Sequence, residues 1–299
     1  MIRNFDQLIK EVKGSKTKKI AVAYAHDRDV IEALLKAKEE DIADGILVGP
    51  REKIEEILRN LNVEKDRFEI VDEKDERESV KRAISLVKEG KADVLMKGLC
   101  STATLLKGVL DKENGFRTER LLSHLAAFEV PAYHKLILMS DAAMNIAPNL
   151  NQKIDIIKNS VEAAHKLGID IPKVALLAAV EKVNPENMPC TGDAAIITMM
   201  NKRGQIKGCI IDGPLAVDNA FSKKSCEVKG IKSEVGGDAD IAIAPEIETG
   251  NCFYKVLSYL GGFKTAGIIV GAKRPIVLTS RADSEETKFL SIAFAMKTS

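Results

Sequence analysis

Short apolar runs recur along the chain and alternate with charged stretches of a different period. The runs KIAVAYA (19–25), GILVG (45–49), FEIVD (68–72) and ADVLMKG (92–98) are rich in Val, Ile and Leu. Between them, segments such as REKIEEILRNL and DERESVKRAISLVKEG place apolar residues at i, i+3, i+4 and i+7, the period of a helix lying on a core. Strands alternating with helices predict a parallel sheet covered on both faces. The pattern changes at RLLSHLAAFEV and HKLILMSDAAM, two apolar runs split by Pro131 and Ala132. They suit either antiparallel strands or a crossing between domains. After the helical segment QKIDIIKNSVEAAHKLG a second alternation begins, with KVALLAAV, GCIIDG, ADIAIAP, TAGIIVGA and PIVLTS. No fixed-period repeat, linker or low-complexity tract interrupts the chain, so two packed α/β lobes are expected.

Polar residues gather where these runs stop. The run Ile276-Val277-Leu278 ends at Thr279-Ser280-Arg281, and a helix is predicted at once, with Asp283 and Glu286 spaced as a capping box. A hydroxyl and a guanidinium at a strand end suit a negatively charged ligand. In MKGLCSTATLLKGVL (96–110), a glycine turn leads to Ser101, Thr102 and Thr104 at a helix start, where free amides favour anions. Asp141 and Asn145 follow another strand, with Pro148 stiffening the loop; Asp212, Gly213 and Asp218 follow the next. Thr249-Gly250-Asn251 is expected to open an amphipathic helix. Each feature is also an ordinary cap or turn, so their weight depends on whether they converge.

Composition narrows the chemistry. The 299 residues are 45% hydrophobic and 30% charged, with a net charge of +1, which predicts a folded chain with a large core. Neutral balance, four Tyr, nine Phe and no Trp argue against nucleic-acid binding. No apolar run reaches membrane-spanning length, and the opening MIRNFDQLIKEVKG reads as an amphipathic helix rather than a signal peptide. The five cysteines (100, 190, 209, 226, 252) form no C-x-x-C pair, which predicts a reduced, metal-free cytoplasmic protein. The four histidines (26, 124, 134, 165) lack metal spacing, and His124 and His134 flank apolar strands as core or lobe-interface residues would. Neither phosphate-binding nor dinucleotide glycine motifs occur, nor a hydrolase nucleophile elbow. Cys100 lacks an evident base partner and reads as a small buried hydrophobe.

Taken together, MKGLCSTATLLKGVL, LSHLAAFEVP, DAAMNIAP, DGPLAVDNA, IETGNCFYKVLSYL and AKRPIVLTSRADS resemble the phosphate acetyl/butyryltransferase family, in order and over nearly the whole chain from about Lys19. The wording SDAAMNIAP, DGPLAVDNA and LTSRADS, and the short N-terminus without a regulatory domain, resemble its butyryl branch. The resemblance implies an acyltransferase: butanoyl-CoA plus phosphate gives butanoyl phosphate plus CoA, reversibly. Phosphate acetyltransfer and a metal- and NAD-dependent decarboxylating dehydrogenase of similar fold are the alternatives. It also implies two αβα lobes with mostly parallel sheets, isocitrate/isopropylmalate-dehydrogenase-like, with the active site in the interlobe cleft. Residues 1–133 plus 283–299 would form one lobe and 134–282 the other, the last helix returning to the first. A homodimer or higher homo-oligomer, with acyl-CoA and phosphate as its ligands and no other cofactor, is expected.

Acyl transfer passes through an oxyanion beside a phosphate that already carries about two charges. A guanidinium serves both, staying ionised and offering a planar fork of donors. Family similarity gives that task to Ser280 and Arg281. Ser101, Thr102, Thr104, Lys107, Asp141, Asn145, Asp212, Asp218, Thr249, Gly250 and Asn251 are the expected substrate-binding positions. With a pKa near 8.5, only roughly 3% of a thiol is ionised at pH 7, so either a base or a cation must assist CoA. Two departures stand out. Thr287 occupies a position where acetyl-transferring relatives resemble this helix but carry Asp, and Lys107 one where they carry Arg.

Overall fold

The computed structural model describes residues 1–15, 17–279 and 283–299. The chain opens with α1 (Phe5–Lys13) and alternates through β1 (Lys18–Ala23), α2 (Arg28–Glu39), β2 (Ala43–Gly49), α3 (Arg51–Asn60), β3 (Glu69–Asp72), α4 (Glu76–Lys88), β4 (Val94–Lys97) and α5 (Thr102–Val109). Two adjacent strands follow, β5 (Ser123–Glu129) and β6 (Ile137–Ser140), then α6 (Leu150–Lys166), β7 (Lys173–Leu177), α7 (Pro189–Lys202) and β8 (Ile210–Leu215). The rest comprises α8 (Val217–Phe221), α9 (Lys223–Lys229), β9 (Ile241–Ile243), α10 (Ile247–Lys255), β10 (Lys264–Val270), β11 (Ile276–Val277) and α11 (Glu285–Thr298). Each predicted apolar run overlaps one of these strands. None of the described helices is long and apolar enough to cross a membrane.

The chain forms two compact units, a middle unit of Met1–Asn4 and Leu121–Thr265 and an N-terminal unit of Phe5–Arg120 and Ala266–Ser299. In the N-terminal unit the strand order is β3-β2-β1-β4-β11-β10. All pairings are parallel except β10 with β11. Ile20, Ala21, Val22 and Ala23 of β1 are fully buried, as expected of a central parallel strand covered on both faces. α11 packs on α2 and is buried along nearly its whole length.

The middle unit has the order β5-β6-β9-β7-β8. β5 and β6 are antiparallel, with Ala127 opposite Leu138, and the remaining pairs are parallel. The two runs around Pro131 are thus antiparallel strands. Phe128, Met139, Leu177, Leu215 and Val235 centre its core, and Tyr254 closes it edge-on against Phe128 with ring centroids 5.5 Å apart. His124 belongs to this interior, whereas His134 does not. His134 is exposed and meets Asp238 at 3.0 Å, its position just before β6 leaving the ring free of the sheet.

Helix starts follow local chemistry. Asp27 and Asp75 accept first-turn amides of α2 and α4, and Asn149 forms a full capping box with Gln152 on α6. Two expected starts are corrected. α11 is capped by Ser284, whose Oγ accepts the Thr287 amide at 3.1 Å, and not by the Asp283–Glu286 box. α10 opens at Ile247 rather than at Thr249, because the Glu246 carboxylate accepts the Glu248 and Thr249 amides at 2.9 Å each.

Candidate active site

In the middle unit, β6 ends in a buried aspartate that ties up its own loop. Asp141 Oδ1 accepts the Ala143 and Met144 amides at 2.8 and 2.9 Å. Its Oδ2 accepts the His124 amide at 3.1 Å and the Asn145 side-chain amide at 2.6 Å. Asn145 also donates to the Leu122 carbonyl at 3.0 Å. α10 lies directly on this loop. Asn251 donates to the Ala142 carbonyl at 3.0 Å, and a Cβ on Gly250 would stand 2.1 Å from the Asp141 carbonyl oxygen, so only glycine allows the approach. The structure therefore brings Asp141, Asn145, Gly250 and Asn251 together, with their polar groups turned onto the protein.

The other middle-unit candidates are engaged in similar ways. Asp212 and Gly213 lie within β8 rather than after it, because the ladder with β7 runs on past them to Leu215, and Asp212 accepts the Gly213 amide at 2.9 Å. Asp218, on the first turn of α8, accepts from the Ser225 hydroxyl and pairs with Lys229 at 3.0 Å. Those two partners hold its pKa below the usual carboxylate value. Thr249 donates its hydroxyl to Glu246. Burial opposes ionisation of Glu246, but hydrogen bonds from Glu248 and Thr249 outweigh it and bring the pKa down to about 2.

These loops do converge, and what they enclose is mostly apolar. A pocket of about 740 Å³ is lined by Ala147 and Pro148 after β6, Ala178 and Ala179 after β7, Val217 after β8, and Pro245, Glu246 and Thr249 after β9. The carboxyl ends of four parallel-running strands thus meet, where open α/β sheets bind ligands. Met188, Pro189 and Cys190 close one side. Lys153 and Asp193 also line the pocket and pair at 2.7 Å. Of the residues expected from sequence, Thr249 is the one that lines this pocket. Lys153, Met188, Asp193, Val217 and Glu246 were missed, since apolar and paired residues look the same here as in any core.

The N-terminal unit presents a different strand exit. A Cβ on Gly98 would stand 2.4 Å from the Tyr24 carbonyl oxygen, so the chain leaving β4 presses on the chain leaving β1. Ser101 caps α5, its Oγ accepting the Thr104 amide at 3.0 Å and lying 2.8 Å from the Thr104 hydroxyl. The Ser101 amide donates to Glu76 at 2.9 Å. Thr102 and Lys107 are exposed. Lys107 lines a second cavity, of about 450 Å³, with Arg77, Lys81, Val80 and Ile84. Cys100 is buried, and burial pushes its thiol pKa up to about 11, which suits packing and not nucleophilic attack.

A further group at this edge was not expected. His26 follows β1, edge-on to Tyr24 with ring centroids 4.3 Å apart. Its buried Nδ1 has no hydrogen-bond partner among the described residues. Burial, and then the Lys53 ammonium, lower its pKa below 6.5, favouring a neutral ring.

Ser280 and Arg281 lie outside the described residues. On one side of them, β11 runs parallel to β4 with Ile276 opposite Leu95 and Val277 opposite Met96. On the other, the Thr287 hydroxyl meets Ser284 Oγ at 3.0 Å, so the residue standing where relatives carry an acid serves the cap of α11. Among the described residues no group of three His, Cys, Asp or Glu is arranged to hold a metal ion.

Comparison with known proteins agrees with this architecture. The family model described as phosphate acetyl/butaryl transferase matches residues 4–82 and 76–296. The phosphate butyryltransferase of Clostridium acetobutylicum is 50% identical over 295 residues, 99% of this chain and 98% of that protein. The phosphate acetyltransferase of Thermotoga maritima is 45% identical over 290 residues, 97% of this chain and 98% of that protein. Among solved structures, a branched-chain phosphotransacylase from Enterococcus faecalis V583 superposes with a TM-score of 0.84 at 36% identity, covering 94% of this chain and 99% of that one. The chain belongs to the phosphate acetyl/butaryl transferase family and is an acyltransferase.

Proposed function

We propose that the chain catalyses reversible transfer of a butanoyl group between CoA and inorganic phosphate. The observation that carries this is the end-to-end 50% identity to the Clostridium acetobutylicum phosphate butyryltransferase. The 45% identity to the Thermotoga maritima phosphate acetyltransferase supports acetyl transfer as the second possibility, with the same chemistry on a shorter chain.

A phosphate oxygen attacks the thioester carbonyl carbon, forming the new C–O bond and a tetrahedral oxyanion. Collapse breaks the C–S bond, and the departing CoA thiolate takes up the proton that hydrogen phosphate gives up on becoming the acyl phosphate. Arg281 holds the oxyanion or the transferring phosphate, with Ser280 donating beside it. Ser101, Thr102, Thr104 and Lys107 receive substrate phosphates, a role supported by the exposure of Thr102 and Lys107. Asp141, Asn145, Gly250 and Asn251 hold the loops after β6 and β9 in place, Asp218 braces α8 against α9, Asp212 sits within β8, and Thr249 stands at the pocket. None of these steps calls for a metal or nicotinamide. A cytoplasmic homodimer or higher homo-oligomer, with no nucleic-acid or membrane partner, completes the proposal. The test is release of free CoA from butanoyl-CoA on adding phosphate, followed with a thiol reagent. Turnover that requires phosphate is expected; no release from any acyl-CoA would overturn the proposal.

A further inference from the structure

The proposed reaction leaves the middle-unit pocket without a stated occupant. Its volume of about 740 Å³ lies in the range of small-molecule sites, which are mainly apolar with a few placed polar groups. Ala147, Pro148, Ala178, Met188, Val217 and Pro245 supply the apolar walls. Among the described residues the one ammonium facing it, Lys153, is engaged by Asp193 at 2.7 Å. Glu246 adds a second carboxylate. Phosphate, or the phosphates of CoA, would meet that negative charge, and none of the described lining residues offers an open cation to offset it. An uncharged apolar group suits the walls.

We propose that this pocket receives the acyl chain of the acyl-CoA, and that Ala178 and Met188 set the chain length it accepts. The proposal rests on acyl transfer from CoA as the reaction. Ala178 follows β7 and its small side chain leaves the space beside it open, while Met188 faces the pocket from the start of α7 without capping that helix through its side chain. A thioether chain of this kind yields to shape more readily than a branched residue. Each buried methylene is worth about 0.8 kcal/mol, or about fourfold in kcat/KM. The pantetheine arm of CoA carries the other uncharged apolar surface and is the competing occupant.

The experiment measures kcat/KM for acetyl-, butanoyl- and hexanoyl-CoA with phosphate, in the wild type, Ala178→Leu and Met188→Ala. Loss of both extra methylene contacts predicts that Ala178→Leu lowers the butanoyl-to-acetyl ratio by about tenfold or more, with acetyl-CoA changed by less than about threefold. Met188→Ala should raise hexanoyl relative to butanoyl by about fourfold, the worth of one methylene. Because it only removes atoms, Met188→Ala carries the test alone if Ala178→Leu fails to fold. Equal changes for all three acyl-CoAs would assign the pocket to the pantetheine arm and overturn the proposal, as would unchanged ratios in both variants. An active wild type with either result leaves the acyl-transfer reaction standing. A wild type that releases CoA from none of the three overturns both.

Discussion

In the middle unit, the polar residues following β6 and β9 are turned onto the protein itself: Asp141 accepts four hydrogen bonds, and Glu246 takes the first amides of α10. In the N-terminal unit, the chain leaving β4 caps its helix with Ser101 but leaves Thr102 and Lys107 exposed. Similar residue types at equivalent strand ends therefore produce an apolar pocket in one unit and an open polar, cationic edge in the other. The lesson is that an aspartate or asparagine at a strand end is first a candidate for organising its own loop. It becomes a ligand only when its hydrogen-bonding capacity is left over.

The largest effect that would test this contrast is on Arg281. If it stabilises the transition state, Arg281→Ala should lower kcat by 10²–10³, about 3–4 kcal/mol, with little change in urea midpoint. Arg281→Lys keeps the charge without the fork and should recover only part. A kcat within a few-fold of wild type would make Arg281 a structural residue. Asp141→Ala should instead act on folding. Three amides and the Asn145 side chain lose their acceptor, so destabilisation of about 3 kcal/mol is expected from denaturant titration. A stable Asp141→Ala protein with reduced kcat would reverse the assignment.

Smaller effects sharpen the same comparison. Lys107→Ala should raise KM for phosphate or acyl-CoA about fivefold while kcat changes less, as an exposed contact equal in ground and transition states would. Unchanged KM for both would return Lys107 to the solvated surface. The smallest effect is at Glu246, where Glu246→Gln should cost less than about 1 kcal/mol at neutral pH. The sign is set by its depressed pKa. The ionised cap contributes above pH 4.5 and is lost as pH falls toward about 2. Stability curves of wild type and Glu246→Gln should therefore converge across that window, and curves that stay parallel would remove the carboxylate's charge from the account.

Periodicity carried much of the fold. Val, Ile and Leu clusters flanked by charged 3.6-residue patterns placed the parallel strands, because a buried parallel strand has little freedom to be anything else, while the runs of β5 and β6 suited a domain crossing equally well. Caps were harder. Asp283, followed three residues later by Glu286, and Ser284, followed by Thr287, both fit a helix start, and only geometry separates them. Asp141, Asn145, Gly250 and Asn251 were legible only as separate strand exits, because turn chemistry restricts such positions without saying which of them meet. Their inward engagement was not, since a carboxylate in sequence carries no record of which amides it faces. Ala178, Met188 and Val217 had no signal at all: an apolar side chain on a pocket wall and one in a core are the same letter.

The pairing of β11 with β4 bears on how the protein is made. β4 ends at Lys97, yet its neighbour on one flank begins at Ile276, so the N-terminal unit cannot complete its sheet until Ile276 has left the ribosome. The strands of the middle unit all lie between Ser123 and Ile243 and emerge as one uninterrupted stretch. Vectorial synthesis therefore favours the middle unit as the first to close, while β1, β2, β3 and β4 wait with one flank of β4 unpaired. During that interval the nascent chain presents an open parallel edge, the kind of surface that recruits chaperones or wrong partners.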